Sequence, residues 1–329
     1  MSTGRFRFLA PMPRLGPSDQ RWTADVRRIE DLGFHAVVVS EHYTNGWVMD
    51  ALTAVNFALA STTHLRAMPL VLNNDVHHPA MLAKAIATAD VLSAGRAALG
   101  IGAGWLEGDY RALGASYDSA MTRVCRLEEA LQIIEAFFDG KQIIFTGSHY
   151  RLDEFEALPR PVQAPRPPIL VGGGGTHMLT IAARYADIVG VHARLGRGGF
   201  NEQAAEDLAR DSVTRKIRLV TTAAARIGRP TPEFQFTCYD VNIAGVQVTP
   251  ILPGFTDYIA THKDQFSDSP TSLRGDVEKC VADLQRWQEE LGISYWNLGG
   301  NIEAVAPIVA RLSTELPDGV SVSVMLVSG

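Results

Sequence analysis

Short apolar runs alternate along this chain with stretches of helical periodicity, and that alternation constrains the fold more than any other feature. RFRFLA (5–10), HAVVVSEH (35–42), MPLVLNND (68–75), AALGIGAG (97–104), ILVGGGG (169–175), ADIVGVHA (186–193), residues 234–241 and SYWNLG (294–299) read as strands. The VVV run is apolar on both faces, as in a parallel strand covered on each side. Helical patterns follow each strand. One spans 18–32, with Ser18 as N-cap and Gly33 as C-cap, and others span 50–61 and 78–95, the latter opening at Pro79 and closing at Gly95. Residues 118–139 carry Leu127, Leu131, Ile134 and Phe138 on one face. Further helices are expected through Arg184 and over 202–227, 276–291 and 302–313. Eight strand–helix units predict an α/β fold, a TIM (β/α)8 barrel with insertions, forming one domain over 1–329. A doubly wound sheet is the other architecture this pattern allows. Insertions are expected at about 105–117 (a loop), 142–167 (a hairpin turning at Thr146-Gly147, then a Pro-rich connector) and 245–271 (irregular). The tail, 314–329, alternates like an edge strand and has no assigned place.

A net charge of −6 argues against nucleic acid or an anionic membrane as a general partner. Cys125, Cys238 and Cys280 are odd in number and far apart, with no zinc or redox spacing, so a reducing cytoplasm is expected. The N-terminal RFLAPMPRLGP lacks a long apolar core, so no signal peptide and no membrane span are expected.

LGIGAGW (99–105) imitates a dinucleotide fingerprint, but the third glycine of G-x-G-x-x-G is replaced by Trp105. Alternating glycines instead suit a strand with one face left empty, so that something flat can lie against the backbone. In a barrel the chemistry gathers at the C-terminal ends of the strands. Those ends here read Ser40-Glu41-His42, Asn73-Asn74-Asp75, Gly102-Ala103-Gly104-Trp105, Gly172 to Gly175, and His192-Ala193-Arg194. Four glycines leading into a helix at Thr176 expose backbone N–H groups, a ready anion site, where one or two would satisfy a turn. His42 is balanced between a functional and a merely hydrogen-bonded histidine. Glu41 reads as a partner or a packing residue, with packing favoured. His77-His78 makes a weak metal motif, since neighbours on a strand point to opposite faces, and no metal site is expected. Pro69 inside strand three implies a bulge at Pro69-Leu70 or a strand that starts there. Arg96, after the helix, is expected to fold back on the barrel rim. Trp105, Glu107 and Asp109 follow strand four in the expected loop.

GFHAVVVSEHY (33–43), HHPAMLAKAIATADVLSAGRAALGIGAGW (77–105), RLEEALQIIEAFF (126–138), PRPVQAPRPPILVGGGG (159–175), AARYADIVG (182–190) and RGDVEKCVADLQRWQEELGISY (274–295) together resemble the bacterial luciferase-like monooxygenase superfamily. The alternating glycines and the VSEH strand end resemble the branch that uses the deazaflavin coenzyme F420. The resemblance implies a barrel with the flavin-type ring in its mouth, His42 near the reactive ring edge, and a non-prolyl cis peptide at Pro69-Leu70 buttressing the ring. Phosphate contacts are implied from Ala103-Gly104 and from Gly173 to Thr176, with Gly172, Asn73 and Asn74 grouped beside them as cofactor contacts. Some relatives place a glutamate directly after the strand-four glycine; Trp105 stands there, and Glu107, two residues on, is the remaining candidate acid. Trp47, Trp105 and His192 are expected on the substrate side, and Arg194 and Arg197 near an anionic tail.

The implied activity is hydride transfer between the F420 C5 and a small organic substrate. A two-component monooxygenase using reduced FMN, fed by a separate reductase or dehydrogenase, is the alternative. A flavin-binding barrel without turnover is a third reading. A homodimer is expected from the resemblance.

Overall fold

The computed structural model describes residues 5–15, 19–44, 46–196, 199–248 and 253–313. Eight parallel positions form one barrel wall. Strand one is Arg7–Pro11, two Ala36–Val39, four Leu99–Gly102, five Ile169–Gly173, six Ile188–Val191, seven Glu233–Thr237 and eight Ile293–Asn297. Strand three comes in two pieces, Arg66–Pro69 and Leu72–Asn73. The order round the wall is three, two, one, eight, seven, six, five, four and the second piece of three.

The split in strand three is what lets the ring close. Its first piece pairs with strand two up to Val39↔Pro69, and its second pairs with strand four through Leu72↔Ile101 and Asn73↔Gly102. An isolated bridge, Ala67↔Ala97, completes the seam. The break follows Pro69, which has no N–H to donate to a ladder. The cis peptide lies at Leu70-Val71, one bond later than the expected Pro69-Leu70. The bulge was legible from the proline; the particular bond was not.

Leu9, Val38, Met68, Leu170, Ile188 and Tyr295 fill the barrel interior. A larger apolar layer lies between strands and helices, which is why strands such as Ala36–Val39 are buried at every position. Helices start where the sequence supplies caps: Asp50 accepts from the Thr53 N–H at 2.8 Å, Ser119 from Thr122 at 3.1 Å, and Asp276 from Lys279 at 2.8 Å. Arg96 does fold onto the N-terminal rim, donating to the Leu59, Leu65 and Ser93 carbonyls.

Several expectations change. Residues 105–117 are not all loop, because Glu107–Leu113 is a helix. The 202–227 helix divides into Glu202–Glu206 and Arg210–Arg226. Strand seven leaves the barrel after Thr237; Asp240–Ile243 instead joins a side sheet with Val246–Gln247 and Ser272–Gly275. The 245–271 stretch also holds helices at Pro253–Thr261 and Lys263–Phe266. The 142–167 hairpin forms as expected, from Ile143–Thr146 and Arg151–Phe155. Ser18, Asn45, Arg197 and the tail lie outside the described residues. Among the described residues no helix is long and apolar enough to cross a membrane.

Candidate active site at the barrel mouth

Glu41, directly after strand two, ties the mouth together. Its buried carboxylate accepts from the Asn73 N–H (2.8 Å) and the Tyr43 hydroxyl (3.0 Å), and meets His77 Nε2 at 2.8 Å. It is therefore a partner rather than packing, and His77 is its counterpart rather than a metal ligand. Leu70 is held on both sides of its plane, its N–H donating to Val39 O (2.7 Å) and its carbonyl accepting from Ser40 Oγ (2.9 Å).

The alternating glycines turn out to serve the chain itself. A Cβ on Gly100 would land on the Pro69 carbonyl oxygen; on Gly102 it would meet the Val71 side chain at 3.0 Å. A Cβ on Gly172 would crowd both Val71 and His192 at 3.2 Å. The face expected to lie open to a flat ligand along Gly100 and Gly102 is filled by the strand-three bulge. Gly104, with φ +72°, sits against Tyr110 and Asn73. The run at 172–175 has the same cause in part. Gly173 faces Met178, and Gly174 lies against the backbone of 192–194. Tight packing therefore accounts for Gly173 and Gly174 without a phosphate. The helix Thr176–Tyr185 is capped by Gly175 without a side-chain bond, and the Arg194 side chain lies beside that cap.

His42 has a fixed orientation. Its Nδ1 lies 2.8 Å from Asp109 Oδ2, while Asp109 Oδ1 accepts from the Tyr43 N–H (3.0 Å) and Thr44 Oγ1 (2.6 Å). Burial pushes the Asp109 carboxyl up, but the bonds from Thr44, His42 and the Tyr43 amide outweigh it and hold it below the usual carboxylate range. The ionised carboxylate assigns the Nδ1 proton by hydrogen-bond logic and leaves Nε2 as the nitrogen without a partner among the described residues. Trp47 and Trp105 flank the imidazole, with ring centroids 5.1 Å and 5.6 Å away. Trp105 continues edge-on into Phe200, and Phe200 into Tyr239 and Phe255, forming an aromatic wall.

The other candidate residues take distinct places. Glu107 is exposed in the first helical turn, so the acid that meets His42 is Asp109. Asn73 Oδ1 accepts from the Asp75 N–H and the Tyr110 hydroxyl, and Asn74 Nδ2 donates to Tyr150, so both amides hold the loop in shape. His192 packs against Gly172 and Gly190; burial, reinforced by Lys216, lowers its pKa to about 4 and keeps the imidazole neutral. Lys216 Nζ donates to His192 O, Asp207 O and Asp207 Oδ2, clamping the end of strand six. Sequence reasoning missed the Asp109–His42 pair and the Phe200–Tyr239–Phe255 wall. These partners are far apart in the chain, and no local spacing announces them.

A family profile described as luciferase-like monooxygenase matches residues 17–243. The chain belongs to that family. Among curated relatives of the family member described here is an FMNH(2)-dependent dimethylsulfone monooxygenase of Pseudomonas putida. It is 29% identical over 175 residues, covering 50% of this chain and 48% of that protein. An F420-dependent glucose-6-phosphate dehydrogenase of Nakamurella multipartita is 30% identical over 190 residues, covering 56% and 54%. The chain thus spans about half the length of the curated relatives it matches. A solved F420-dependent secondary alcohol dehydrogenase in complex with an F420-acetone adduct superposes with a TM-score of 0.73 at 17% identity. It covers 94% of this chain and 98% of its own, and so shares the fold.

Proposed function

We propose that this protein is an F420-dependent oxidoreductase that moves a hydride between the deazaflavin C5 and a small organic substrate. One observation carries the reading. His42 stands at the end of strand two with Nδ1 fixed by an ionised carboxylate and Nε2 free, beside the strand-three bulge and an aromatic wall. A bound deazaflavin supplies the hydride acceptor or donor. The chain supplies the rest. The residues that would hold the ring are the Leu70-Val71 backbone with Ala103 and Gly104. The N-terminus of the helix Thr176–Tyr185, capped without a side-chain bond, suits an anionic tail together with Arg194. His42 Nε2 takes a proton from a substrate hydroxyl, or returns one to a carbonyl oxygen. Asp109 stabilises the imidazolium that results. Trp47, Trp105 and Phe200 exclude water from the reacting atoms.

The FMNH(2)-dependent relative supports the other reading of the same mouth, a monooxygenase fed reduced FMN by a separate reductase. A cytoplasmic homodimer belongs to the proposal in either form. Fluorescence titration with F420 and FMN, each oxidised and reduced, separates the readings. Tight F420 and weak FMN binding is expected; tight reduced FMN alone moves the protein to the oxygen-using branch. His42→Ala should bind F420 as before and lose hydride transfer.

A further inference from the structure

A cavity of about 350 Å³ opens at the pole of the barrel opposite the mouth, among the N-terminal strand ends. Around it stand Arg66 at the start of strand three, His35 before strand two, Arg7 at the start of strand one and Tyr295 of strand eight. Glu233 at the start of strand seven and Asp187 before strand six complete the ring. The Arg7 and Glu233 side chains are 32% and 31% exposed, so a solute can reach the cavity past them.

The hydrogen-bonding groups here are out of balance. The acids are engaged: Glu233 pairs with Arg7, and Asp187 accepts from Arg166 and from the Ile169 N–H. Burial, with Asp187 nearby, also pushes the Glu233 carboxyl up. The donors are in excess. Arg7 Nε is buried with no partner. Arg66 uses Nη1 on the Gln163 side chain at 2.9 Å and, among the described residues, has no acceptor for Nε or Nη2. Among the described residues the Tyr295 hydroxyl and the His35 imidazole have no hydrogen-bond partner, and their rings meet edge-on at 5.4 Å. Burial, then the fields of Arg7, Arg66 and Arg5, lower the His35 pKa to about 3. Native interiors rarely leave so many donors idle.

We propose that this cavity binds a small oxyanion, a carboxylate or a phosphate, through Arg66, Arg7, Tyr295 and His35. A guanidinium with two adjacent free N–H groups suits a planar or tetrahedral oxyanion. The site faces away from the mouth and does not rest on the F420 reading.

Calorimetric titration of the full chain with inorganic phosphate, and separately with succinate, tests it, with chloride holding ionic strength constant. Saturable binding of at least one probe is expected; the tighter probe tells phosphate from carboxylate as the natural chemistry. Arg66→Gln should weaken that binding at least tenfold while leaving the F420 titration unchanged. Tyr295→Phe should weaken it several-fold and serves as the test if Arg66→Gln does not fold. Phosphate can also bind at the mouth helix, so a signal indifferent to both variants overturns the proposal. Absence of saturable binding by either probe overturns it as well. Failure of F420 to bind would defeat the hydride-transfer reading and leave this site standing.

Discussion

Replacing Gly100 with alanine should be the most damaging single methyl addition in the barrel. The added Cβ falls on the Pro69 carbonyl oxygen, far inside the 3.0 Å below which real Cβ atoms essentially never approach a neighbour. That neighbour is main chain, so strand three itself must shift by on the order of 1 Å; overpacking of this kind costs typically about 1–3 kcal/mol, and rigid backbone belongs at the top of that range. Gly102→Ala meets only the tip of Val71 at 3.0 Å, a side chain that can give by a few tenths of an ångström; about 1 kcal/mol is expected. Gly108→Ala, in a helix with nothing nearer than Thr44 Oγ1 at 3.6 Å, should be neutral or stabilising by up to roughly 0.5–1 kcal/mol. In a chain of this size about 3 kcal/mol corresponds to a loss of roughly 4 °C in melting temperature. Urea and thermal unfolding of the three variants give the ranking. Adding Val71→Ala should rescue part of the Gly102→Ala loss, a favourable coupling of roughly 0.5 kcal/mol. It should do nothing for Gly100→Ala, whose obstacle is a carbonyl. A Gly100→Ala protein as stable as wild type, or equal rescue of both variants, would refute the account of why these glycines alternate.

Asp109→Asn keeps an oxygen for Tyr43 and Thr44 and turns an amide N–H toward His42 Nδ1. Losing one charge-assisted bond of about 1.5–3 kcal/mol should lower kcat/KM roughly 10- to 150-fold with little change in F420 affinity, measured as the rate of deazaflavin reduction on the substrate found by screening. Lys216→Met should destabilise by about 3 kcal/mol in urea unfolding, because the Asp207 carboxylate and two carbonyls lose a buried cation. The folded-state pKa of His192, about 4, lies below its ordinary 6.5, so the unfolded chain takes up the proton first. Stability is then full above pH 6.5 and falls toward pH 4 by on the order of 3 kcal/mol, with His35 adding in the same sense. His192→Gln should flatten that acid limb in unfolding curves taken across this range; an unchanged slope would contradict it.

The barrel was legible because its signal is local. A parallel strand buried on both faces needs a run such as VVV, its helix needs a cap and a glycine stop, and both are written within about ten residues. The bulge was legible for a similar reason, since Pro69 cannot donate to a ladder. Helices without a strong apolar stripe, such as Glu107–Leu113, were not legible; their packing partners lie elsewhere in the chain. The site was half legible. His42 and Trp105 follow strands two and four, and the structure packs Trp47 and Trp105 against His42. Asp109 was in view and unassigned, because nothing near it in the chain pairs with it.

The sequence by itself determined the order of strands and helices and which residues stand at the C-terminal strand ends. Only the tertiary structure decided what each residue there does. It gave Glu41 to His77 and the strand-three backbone, gave Asp109 to His42, and filled the glycine face with Val71. The physical reason is range. Burial patterns and caps are set by neighbours along the chain, whereas hydrogen-bond partners and steric fit are set by groups that become neighbours only when the barrel closes.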